Sequence, residues 1–297
     1  MDIRVGLLIS GDLGFIALQH LKSKCNVIFV FTNQNSKDVV EECRILSIPI
    51  FIGNPRKKVD EVENILRGRD VDYIISINYL YIVENIILKH PKYFSVNFHG
   101  SLLPKYRGRT PHVWAIINGE TETGVSVHKM DEECDNGDII FQEKLSILPN
   151  DTGADILNKF KVIYPKLLDR LLQQFIVSKF DFTEQNKNEA TYFGKRSPDN
   201  GEINWNWQKE RINNWVRAQA FPYPGAFTYY KSHKIVIDKI KYSEVGYSCE
   251  TPNGTIVKKG KSIFVKTPNG VIEIISARNI QELDIELFSI LGSFYEN

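Results

Sequence analysis

The sequence predicts an α/β protein, with an open, mostly parallel sheet in the first part of the chain and a smaller β-rich domain after it. Two observations support this fold class. Up to about residue 100, short apolar runs of strand length alternate with segments whose apolar residues recur at helical spacing. After residue 204, closely spaced β-type runs follow one another with turn signals between them. The chain of 297 residues is long enough for two domains, at roughly 150 residues each.

The first part of the chain contains five predicted strands separated by helices. The strands are 4–10, 27–32, 48–52, 73–77 and 95–99. The helices are 15–22, 37–46, 59–68 and 83–89. Buried parallel strands have continuous apolar runs, so this βαβα order predicts a parallel sheet with helices on both faces. Gly11-Asp12-Leu13-Gly14 has neither the full Gly-x-Gly-x-x-Gly pattern nor the lysine and serine of a phosphate loop, so we interpret it as a strand-to-helix turn.

A long helix and a polar linker separate the two predicted domains. Residues 151–177 carry apolar side chains at helical spacing and are predicted to cover one face of the sheet. The polar stretch after them contains Gly194 and Pro198, which are typical of a linker. We therefore predict a first domain at 1–189, a linker at 190–204 and a β-rich domain at 205–297.

The second domain is predicted to begin with a helix at 205–220 and to continue as strands. The strand-like runs are 226–230, 235–240, 254–257, 263–267 and 271–275. Asn253-Gly254 and Asn269-Gly270 are dipeptides that favour two-residue hairpin turns. We expect a small antiparallel barrel or sandwich in this part of the chain.

The composition indicates an ordinary soluble globular protein, with 42% hydrophobic and 25% charged residues. A net charge of +1 provides no general attraction for a nucleic acid. The four cysteines are far apart and form no paired metal-binding spacing, which fits a reducing compartment with free thiols. The first residues lack a signal-peptide layout, and no apolar run approaches the roughly 20 residues that a membrane helix needs. We therefore expect a cytoplasmic protein without a membrane partner or a metal site.

Asn97 and His99 stand at the end of a predicted parallel strand, where the ligands of such sheets bind. They are two residues apart, so their side chains point to the same face of an extended segment. The next apolar run, 124–130, ends in an acidic turn that could return Asp135 to the imidazole. An amide, an imidazole and a carboxylate are the groups needed to stabilise an oxyanion, move a proton and orient the base. Because no serine or cysteine is placed as an obvious nucleophile, the pattern favours direct group transfer.

Each of these residues alone has a simpler interpretation. An asparagine after a strand usually caps the backbone, a single histidine is usually structural, and Asp135-Asn136-Gly137 alone is an ordinary turn. The three groups together at this spacing favour catalysis. His112 and His128 lack such partners in the sequence, and we assign them no role.

The segment from residue 97 to residue 140 resembles the formyltransferases that use 10-formyltetrahydrofolate. It carries their Asn-x-His pair, the Ser101-Leu102-Leu103-Pro104 turn and an Asp-x-Gly-Asp turn at the spacing of that family. The likeness continues through 190–199 and 221–227 and weakens after about Lys239. The family includes methionyl-tRNA, glycinamide ribonucleotide and sugar N-formyltransferases. The resemblance is strongest to the domain that formylates UDP-linked 4-amino-4-deoxy-L-arabinose.

The resemblance implies a formyltransferase fold, in which a Rossmann-like sheet forms a catalytic domain at 1–189 and an OB-like domain follows at 205–297. It implies an N-formyltransferase in which an amine attacks the formyl carbon of 10-formyltetrahydrofolate without a metal. The family pattern places the catalytic residues at Asn97, His99 and Asp135. The loop after the fourth strand falls where the family binds folate. The predicted folate contacts are Asn78, Leu80, Tyr81, Ile82 and Asp135.

The resemblance leaves the formyl acceptor open. The leading hypothesis is a nucleotide-linked amino sugar, such as a 4-amino sugar of surface-glycan or lipopolysaccharide O-antigen biosynthesis. Basic side chains could meet its diphosphate, and aromatic rings could stack on its base or sugar. Ser101 could donate a hydrogen bond near the site or only cap its own turn. The predicted substrate contacts are Ser101, Lys105, Tyr106, Arg107, Arg109, Tyr192, Lys195, Arg196 and Tyr223.

Two other functions remain open besides that of a sugar N-formyltransferase. Methionyl-tRNA formyltransferases resemble this chain in both domains but usually carry a basic insertion after the second strand. Here residues 33–42 contain one lysine and three acidic residues, which disfavours tRNA without excluding it. A non-catalytic folate-binding relative would have no need of Asn97, His99 and Asp135 together. The sequence does not name the base or the amino sugar, and the C-terminal domain could complete the substrate site, form a homodimer contact or only stabilise the protein.

Overall fold

The computed structural model describes residues 3–280 and 283–292. Its strands, in chain order, are β1 (Arg4–Ile9), β2 (Asn26–Thr32), β3 (Ile50–Ile52), β4 (Tyr73–Ile77), β5 (Phe94–His99), β6 (Arg107–Gly108), β7 (Glu122–Lys129), β8 (Ile139–Ser146), β9 (Tyr192–Phe193), β10 (Ala226–Tyr230), β11 (His233–Ser243), β12 (Ile256–Lys259), β13 (Ile263–Thr267) and β14 (Gly270–Arg278). Its α-helices are α1 (Gly11–Leu21), α2 (Lys37–Ile45), α3 (Val59–Leu66), α4 (Asn85–Leu88), α5 (Pro111–Ile117), α6 (Gly153–Val177) and α7 (Lys209–Ala218). Short 3-10 helices span Pro55–Lys57, Lys187–Glu189 and Pro198–Gly201. Within the described ranges, none of the helices is both long and apolar enough to cross a membrane.

Seven of these strands form the first sheet, in the order β3-β2-β1-β4-β5-β7-β8. β3, β2, β1, β4 and β5 run parallel to one another, and β7 pairs antiparallel to β5. The structure therefore confirms the predicted open, mostly parallel sheet. The strand order reverses between β1 and β4, and in such sheets ligands bind beyond the carboxyl ends of the strands near this point.

The carboxyl end of β1 passes directly into α1. Gly11 has φ +60°, a left-handed conformation that permits the sharp change of direction after the strand. A Cβ at Gly14 would lie 2.9 Å from the Cβ of Ile9, so this glycine allows the helix to pack closely against the strand. At the end of the neighbouring strand β4, the side-chain amide of Asn78 donates to the carbonyl oxygen of Ser10 at 3.0 Å. The predicted strand-to-helix turn is thus the first turn of α1.

The long helix α6 packs on the first sheet through aromatic rings. Phe175 stacks on Tyr73 of β4 with 3.6 Å between ring centroids, and Tyr164 packs against Phe98 of β5 at 5.5 Å. Side chains alternate between the two faces of a strand, so the neighbours of Phe98, Asn97 and His99, point away from α6. One face of β5 therefore builds the core, and the other carries polar groups.

Five antiparallel strands form the second sheet, in the order β10-β11-β14-β13-β12. This arrangement confirms the β-rich C-terminal part. Thr267 pairs with Gly270, so the β13–β14 hairpin predicted at Asn269-Gly270 is present, with Pro268 and Asn269 as its two turn residues. Asn253-Gly254 closes no hairpin, because β11 pairs with β14 and β12 pairs with β13. That dipeptide lies in the connection before β12, and the prediction of a hairpin there is wrong.

An apolar core lies against the second sheet. It includes Trp205, Ile237 and Ile272, all buried. The helix α7 adds Ile212 and Val216, which are four residues apart and therefore lie on one face of the helix. The spacing of apolar residues in α7 thus explains which face of this helix is buried.

Contacts between residues divide the chain into two compact units. The first contains the chain up to Gly108, Thr123–Leu145 and Asn158–Phe193. The second contains Arg109–Glu122, Ser146–Leu157 and the chain from Gly194 onward, so α5 and the first residues of α6 belong with the β-rich part. The predicted boundaries at 189 and 205 stay a prediction, because a compact unit need not be a domain that folds independently.

Replacing Ile272 by alanine should lower the free energy of unfolding of the second unit by about 2–5 kcal/mol, because the truncated side chain leaves a cavity. Ile272 is fully buried on β14, and the chain's four tryptophans all lie in the second unit, so tryptophan fluorescence in a urea titration follows its unfolding. Ile275→Ala on the same strand is the control. Ile275 is 43% exposed, and its replacement should change the free energy by less than about 1 kcal/mol. Equal effects of the two substitutions would contradict this description of the core.

Candidate active site

The structure brings Asn97, His99 and Asp135 together on one side of the first sheet. Asn97 and His99 lie on β5, which ends at His99, and Asp135 lies in the turn between β7 and β8. The Oδ1 atom of Asp135 is 3.5 Å from Nδ1 of His99 and 3.5 Å from Nδ2 of Asn97. The side chain of His99 is 6% exposed and that of Asp135 is 9% exposed. An amide, an imidazole and a carboxylate therefore meet in a pocket that is largely closed to water.

Asp135 is held by its backbone geometry and by hydrogen bonds from neutral groups. It has φ +55°, a left-handed conformation that is uncommon for a residue other than glycine. The N–H of Gly108 donates to Oδ2 of Asp135 at 2.9 Å. The side-chain amide of Gln185 donates to the carbonyl oxygens of Asp135 and Gly137 at 2.9 and 2.8 Å. These contacts direct the carboxylate toward His99.

Arg107 supports the same turn from the interior, where it is 1% exposed. Its Nε and Nη2 donate to Oε1 of Gln185 at 3.2 and 2.7 Å. Its Nη1 donates to Oδ1 of Asn136 at 3.0 Å and to the hydroxyl of Tyr192 at 2.6 Å. The prediction that Arg107 meets a diphosphate is therefore revised. The guanidinium is occupied by internal partners, and it braces the turn that carries Asp135.

The hydrogen bonds of His99 indicate which ring nitrogen carries the proton. Nε2 lies 2.7 Å from the carbonyl oxygen of Tyr106, and because a carbonyl only accepts, Nε2 is the donor. The neutral ring then has its lone pair on Nδ1, the nitrogen that faces Asp135. Burial lowers the pKa of His99, while Asp135 and the Tyr106 carbonyl oppose that shift. A neutral imidazole near pH 7 can accept a proton, so His99 is in the state that a general base requires.

Asp135 is ionised at neutral pH although it is buried. Burial alone would raise its pKa, but the positive charge that the imidazoles of His99 and His128 can carry and the N–H of Gly108 favour the charged form. Together they hold the pKa of Asp135 well below the ordinary range of an aspartate. A proton that enters the pocket therefore resides on an imidazole rather than on the carboxylate.

The sequence predicts no role for His128, yet this residue lines the pocket. It lies on β7 directly opposite Asn97 in the antiparallel register. Its Nε2 is 3.2 Å from Nδ2 of Asn97 and 3.7 Å from Oδ1 of Asp135, and the residue is 2% exposed. Although imidazoles and a carboxylate meet here, no group of His, Cys, Asp or Glu in the described residues has the arrangement of a metal site. In the sequence, His128 is only a histidine inside an apolar strand that precedes an acidic turn. Its place beside Asn97 follows from the pairing of β7 with β5, which the sequence alone does not reveal.

Ser101 and Tyr106, both predicted to contact the substrate, instead stabilise the turn that follows β5. The Oγ of Ser101 donates to the carbonyl oxygen of Lys105 at 2.7 Å, so Ser101 caps this turn. Tyr106 has φ +61°, its carbonyl oxygen accepts from His99, and its ring stacks on Phe193 with 4.9 Å between centroids. Lys105 is exposed. Among these three predicted contacts, Lys105 is therefore the one whose side chain faces solvent.

In the second unit, Arg196 is also engaged internally. Its guanidinium lies between two indole rings, 5.0 Å from the centroid of Trp114 and 4.3 Å from that of Trp215. Its Nη2 donates to Oε1 of Gln219 at 3.0 Å. The other basic residues predicted to contact substrate in this unit are Arg109, which is half-buried, and Lys195, which is exposed.

The aromatic side chains predicted to stack on a substrate differ in their surroundings. Tyr192 is 64% exposed, although its hydroxyl accepts a hydrogen bond from Arg107. The hydroxyl of Tyr223, in the second unit, is 2.9 Å from Nε2 of His112, and burial raises the pKa of Tyr223 to about 12. The phenol of Tyr223 is therefore neutral at physiological pH, and its hydroxyl is engaged with His112.

The predicted folate loop begins at the same edge of the first sheet as the pocket. β4 pairs in parallel with β5, so the chain leaves β4 next to the end of β5. Asn78, the first residue of this loop, has φ +53°. Leu80 and Ile82 are 41% and 61% exposed, and Tyr81 packs edge-on against Tyr79. Apolar side chains exposed beside a polar pocket are suited to hold the faces of a flat ring system.

Comparison with known proteins identifies related chains. Residues 4–172 match the family model described as formyl transferase, and residues 195–288 match that of the formyl transferase C-terminal domain. The bifunctional polymyxin resistance protein ArnA of Wigglesworthia glossinidia brevipalpis is 33% identical over 277 residues, which are 92% of this chain and 41% of that protein. This chain therefore spans about two fifths of the length of that curated relative.

Two solved structures share the fold. One is WlaRD, a sugar 3N-formyl transferase crystallised in the presence of dTDP and 5-N-formyl-THF. It has a TM-score of 0.71 and 20% identity, and the match covers 95% of this chain and 100% of WlaRD. The other is an N-formyltransferase from Helicobacter canadensis in complex with folinic acid and dTDP-3-aminofucose. It has a TM-score of 0.71 and 20% identity, covering 92% of this chain and 99% of that chain.

Asp135→Asn should remove a pH-dependent contribution to stability. The pKa of Asp135 is depressed in the folded protein, so the carboxylate stabilises the fold above its unfolded-state pKa of about 3.9, and this contribution is lost as the pH falls through that value and below. The free energy of unfolding should therefore fall more steeply from about pH 5 to about pH 3 in the wild type than in Asp135→Asn, as urea titrations followed by circular dichroism would show. Asp181→Asn, at an exposed position, should keep the wild-type slope. Equal slopes for the wild type and Asp135→Asn would contradict a depressed pKa.

Proposed function

The chain belongs to the formyl transferase family, and we propose that it moves the formyl group of 10-formyltetrahydrofolate to the amine of a nucleotide-linked amino sugar. One observation carries this proposal: the buried neutral imidazole of His99 faces the ionised carboxylate of Asp135 beside the amide of Asn97. We assign the catalytic roles to these three residues.

His99 moves the proton that the reaction must transfer. When bound, 10-formyltetrahydrofolate supplies a formyl carbon that gains a bond to the amine nitrogen and loses its bond to N10, which departs with the electron pair. Nδ1 of His99 takes the proton that the amine loses on attack, and the neighbouring Asp135 stabilises the resulting imidazolium. The same nitrogen of His99 then returns the proton to the departing N10, so His99 ends the reaction in its starting state.

Asn97 supplies a hydrogen-bond donor to the formyl oxygen, on which negative charge develops. One N–H of its amide is directed to His128 at 3.2 Å, and the other is directed to Asp135 at 3.5 Å. A contact of 3.5 Å is a weak hydrogen bond, so the second N–H can turn to a stronger acceptor in the pocket. An oxygen that gains charge in a closed site is such an acceptor.

The formyl donor is supported by the loop after β4 and by the relatives. Leu80 and Ile82 expose apolar surface where the chain leaves β4, next to the end of β5, and this surface fits a flat pterin. The two similar structures were crystallised with 5-N-formyl-THF or folinic acid. We propose that residues 78–82 hold the corresponding part of 10-formyltetrahydrofolate.

The acceptor is proposed from the relatives and from the composition of one loop. One similar structure was crystallised in the presence of dTDP, and the other is a complex with dTDP-3-aminofucose. Residues 33–42, which follow the second strand, have one lysine and three acidic residues and offer no basic surface for a tRNA. Lys105 exposes its side chain, so we propose it as a diphosphate contact in place of Arg107. The formylated product would then be consumed by transfer of the sugar to a surface glycan.

His99→Ala and Asn97→Ala should keep the fold and lose turnover. Removing the base should lower kcat by about a hundredfold or more, and removing the donor should have a similar effect. The measurement is tetrahydrofolate release at saturating amino sugar, with circular dichroism to check folding. His233→Ala is the control, because His233 is exposed on β11. A near-normal rate in either variant would show that the catalytic assignment is wrong.

A panel of acceptors tests the proposed substrate. The protein is incubated with 10-formyltetrahydrofolate and, separately, with dTDP- and UDP-linked 3-amino and 4-amino sugars or initiator methionyl-tRNA, and products are identified by mass spectrometry. We expect an N-formylated nucleotide sugar and no formylated tRNA. Formylated tRNA without any sugar product would contradict the acceptor class. Folate binding without turnover of any acceptor would contradict catalysis and favour a folate-binding relative.

A further inference from the structure

We propose that His128 is a positioning residue that holds the amide of Asn97 in one of its two orientations, with the amino group rather than the carbonyl oxygen turned toward Asp135. This inference rests on the proposed function, because the orientation of the amide decides whether Asn97 offers a donor or an acceptor to the formyl oxygen. His128 itself touches neither the formyl group nor the amine in this proposal.

The hydrogen bonds of His128 define its tautomer. Nδ1 lies 2.7 Å from the carbonyl oxygen of Lys129, and because that oxygen only accepts, Nδ1 carries the proton. The neutral ring then has a lone pair on Nε2. That nitrogen lies 3.2 Å from Nδ2 of Asn97, an amino group that only donates. One N–H of Asn97 therefore donates to His128, whose other ring nitrogen donates to the backbone.

The opposite orientation of the amide has no acceptable partners. If the amide of Asn97 were turned by half a rotation, its Oδ1 would face the lone pair of Nε2 in His128. The same oxygen would also replace the amino group that lies 3.5 Å from the carboxylate of Asp135. Both contacts would then join two acceptors, which repel each other at low dielectric. His128 and Asp135 thus select the same orientation of Asn97.

The position of His128 in the sheet protects this hydrogen bond from water. His128 and Asn97 are direct partners in the antiparallel pairing of β7 with β5. Ser126, two residues before His128 and on the same face of the strand, is fully buried, and His128 is 2% exposed. A buried polar group that loses its partner cannot replace it with bulk water. The register of two strands, rather than a flexible loop, therefore fixes the distance between the imidazole and the amide.

Two substitutions separate the two hydrogen bonds of His128. The side-chain amide of His128→Asn can replace Nδ1 as the donor to Lys129, but it is too short to accept from Asn97. The longer side chain of His128→Gln can place its oxygen near the position of Nε2 and accept from Asn97. We expect kcat of His128→Asn to fall about tenfold to a hundredfold, with KM for both substrates within about twofold of wild type. We expect His128→Gln to recover kcat to within about threefold of wild type.

A measurement that needs no turnover tests the tautomer. In protein labelled with 15N-histidine, the signals that vanish in His128→Gln belong to His128, and we expect a protonated Nδ1 and a bare Nε2. We also expect the side-chain NH₂ signals of Asn97 to shift in His128→Asn and to return toward wild type in His128→Gln. If the wild type formylates no acceptor, the proposed function fails, while these spectra still decide the contact. A bare Nδ1 in the wild type, or a wild-type kcat in His128→Asn, would overturn the inference.

Discussion

The pocket depends on one constraint: the ionised carboxylate of Asp135 is buried, and a buried charge must be compensated by hydrogen bonds or by opposite charge. The compensating groups come from separate parts of the chain. The amide of Asn97 on β5 and the N–H of Gly108 in β6 donate to it, and the imidazoles of His99 on β5 and His128 on β7 can carry the opposite charge. The carboxylate can therefore be buried only when the pairing of β5 with β7 and the turn at 107–108 are both in place. The site is therefore complete only when this part of the sheet has formed.

The residues around Gly108 show how the backbone meets this constraint. Gly108 has φ +98°, and a Cβ at this position would overlap the carbonyl oxygen of Phe193. A glycine there lets β6 approach β9 closely and still directs its N–H to the carboxylate of Asp135. Arg107, immediately before it, is buried among the neutral acceptors Gln185, Asn136 and Tyr192. The sequence suggests a basic surface at residues 105–109, but the side chain of Arg107 is buried because it stabilises the acidic turn that carries Asp135.

The sequence predicts those features that depend only on residues close to one another in the chain. The parallel sheet follows from runs such as residues 4–9 and 73–77, whose apolar pattern is contained within each strand. Asn97 and His99 could be paired because they share a strand. The role of His128 could not be predicted, because it depends on which residue of β5 lies opposite it. For the same reason the hairpin predicted at Asn253-Gly254 is wrong, since β11 pairs with β14, a strand much further along the chain.

The two imidazoles of the pocket have opposite tautomers, and this arrangement explains how the pocket takes up a proton. His99 donates from Nε2 to Tyr106, so its lone pair on Nδ1 faces Oδ1 of Asp135, whereas His128 donates from Nδ1 to Lys129 and accepts from Asn97 at Nε2. The 3.5 Å between Nδ1 of His99 and Oδ1 of Asp135 is longer than an ordinary N–H···O hydrogen bond. One added proton would convert a contact between two acceptors into a charge-assisted hydrogen bond. In the proposed reaction this proton comes from the amine, which loses one proton when its nitrogen bonds to the formyl carbon, and Nδ1 of His99 receives it beside Asp135.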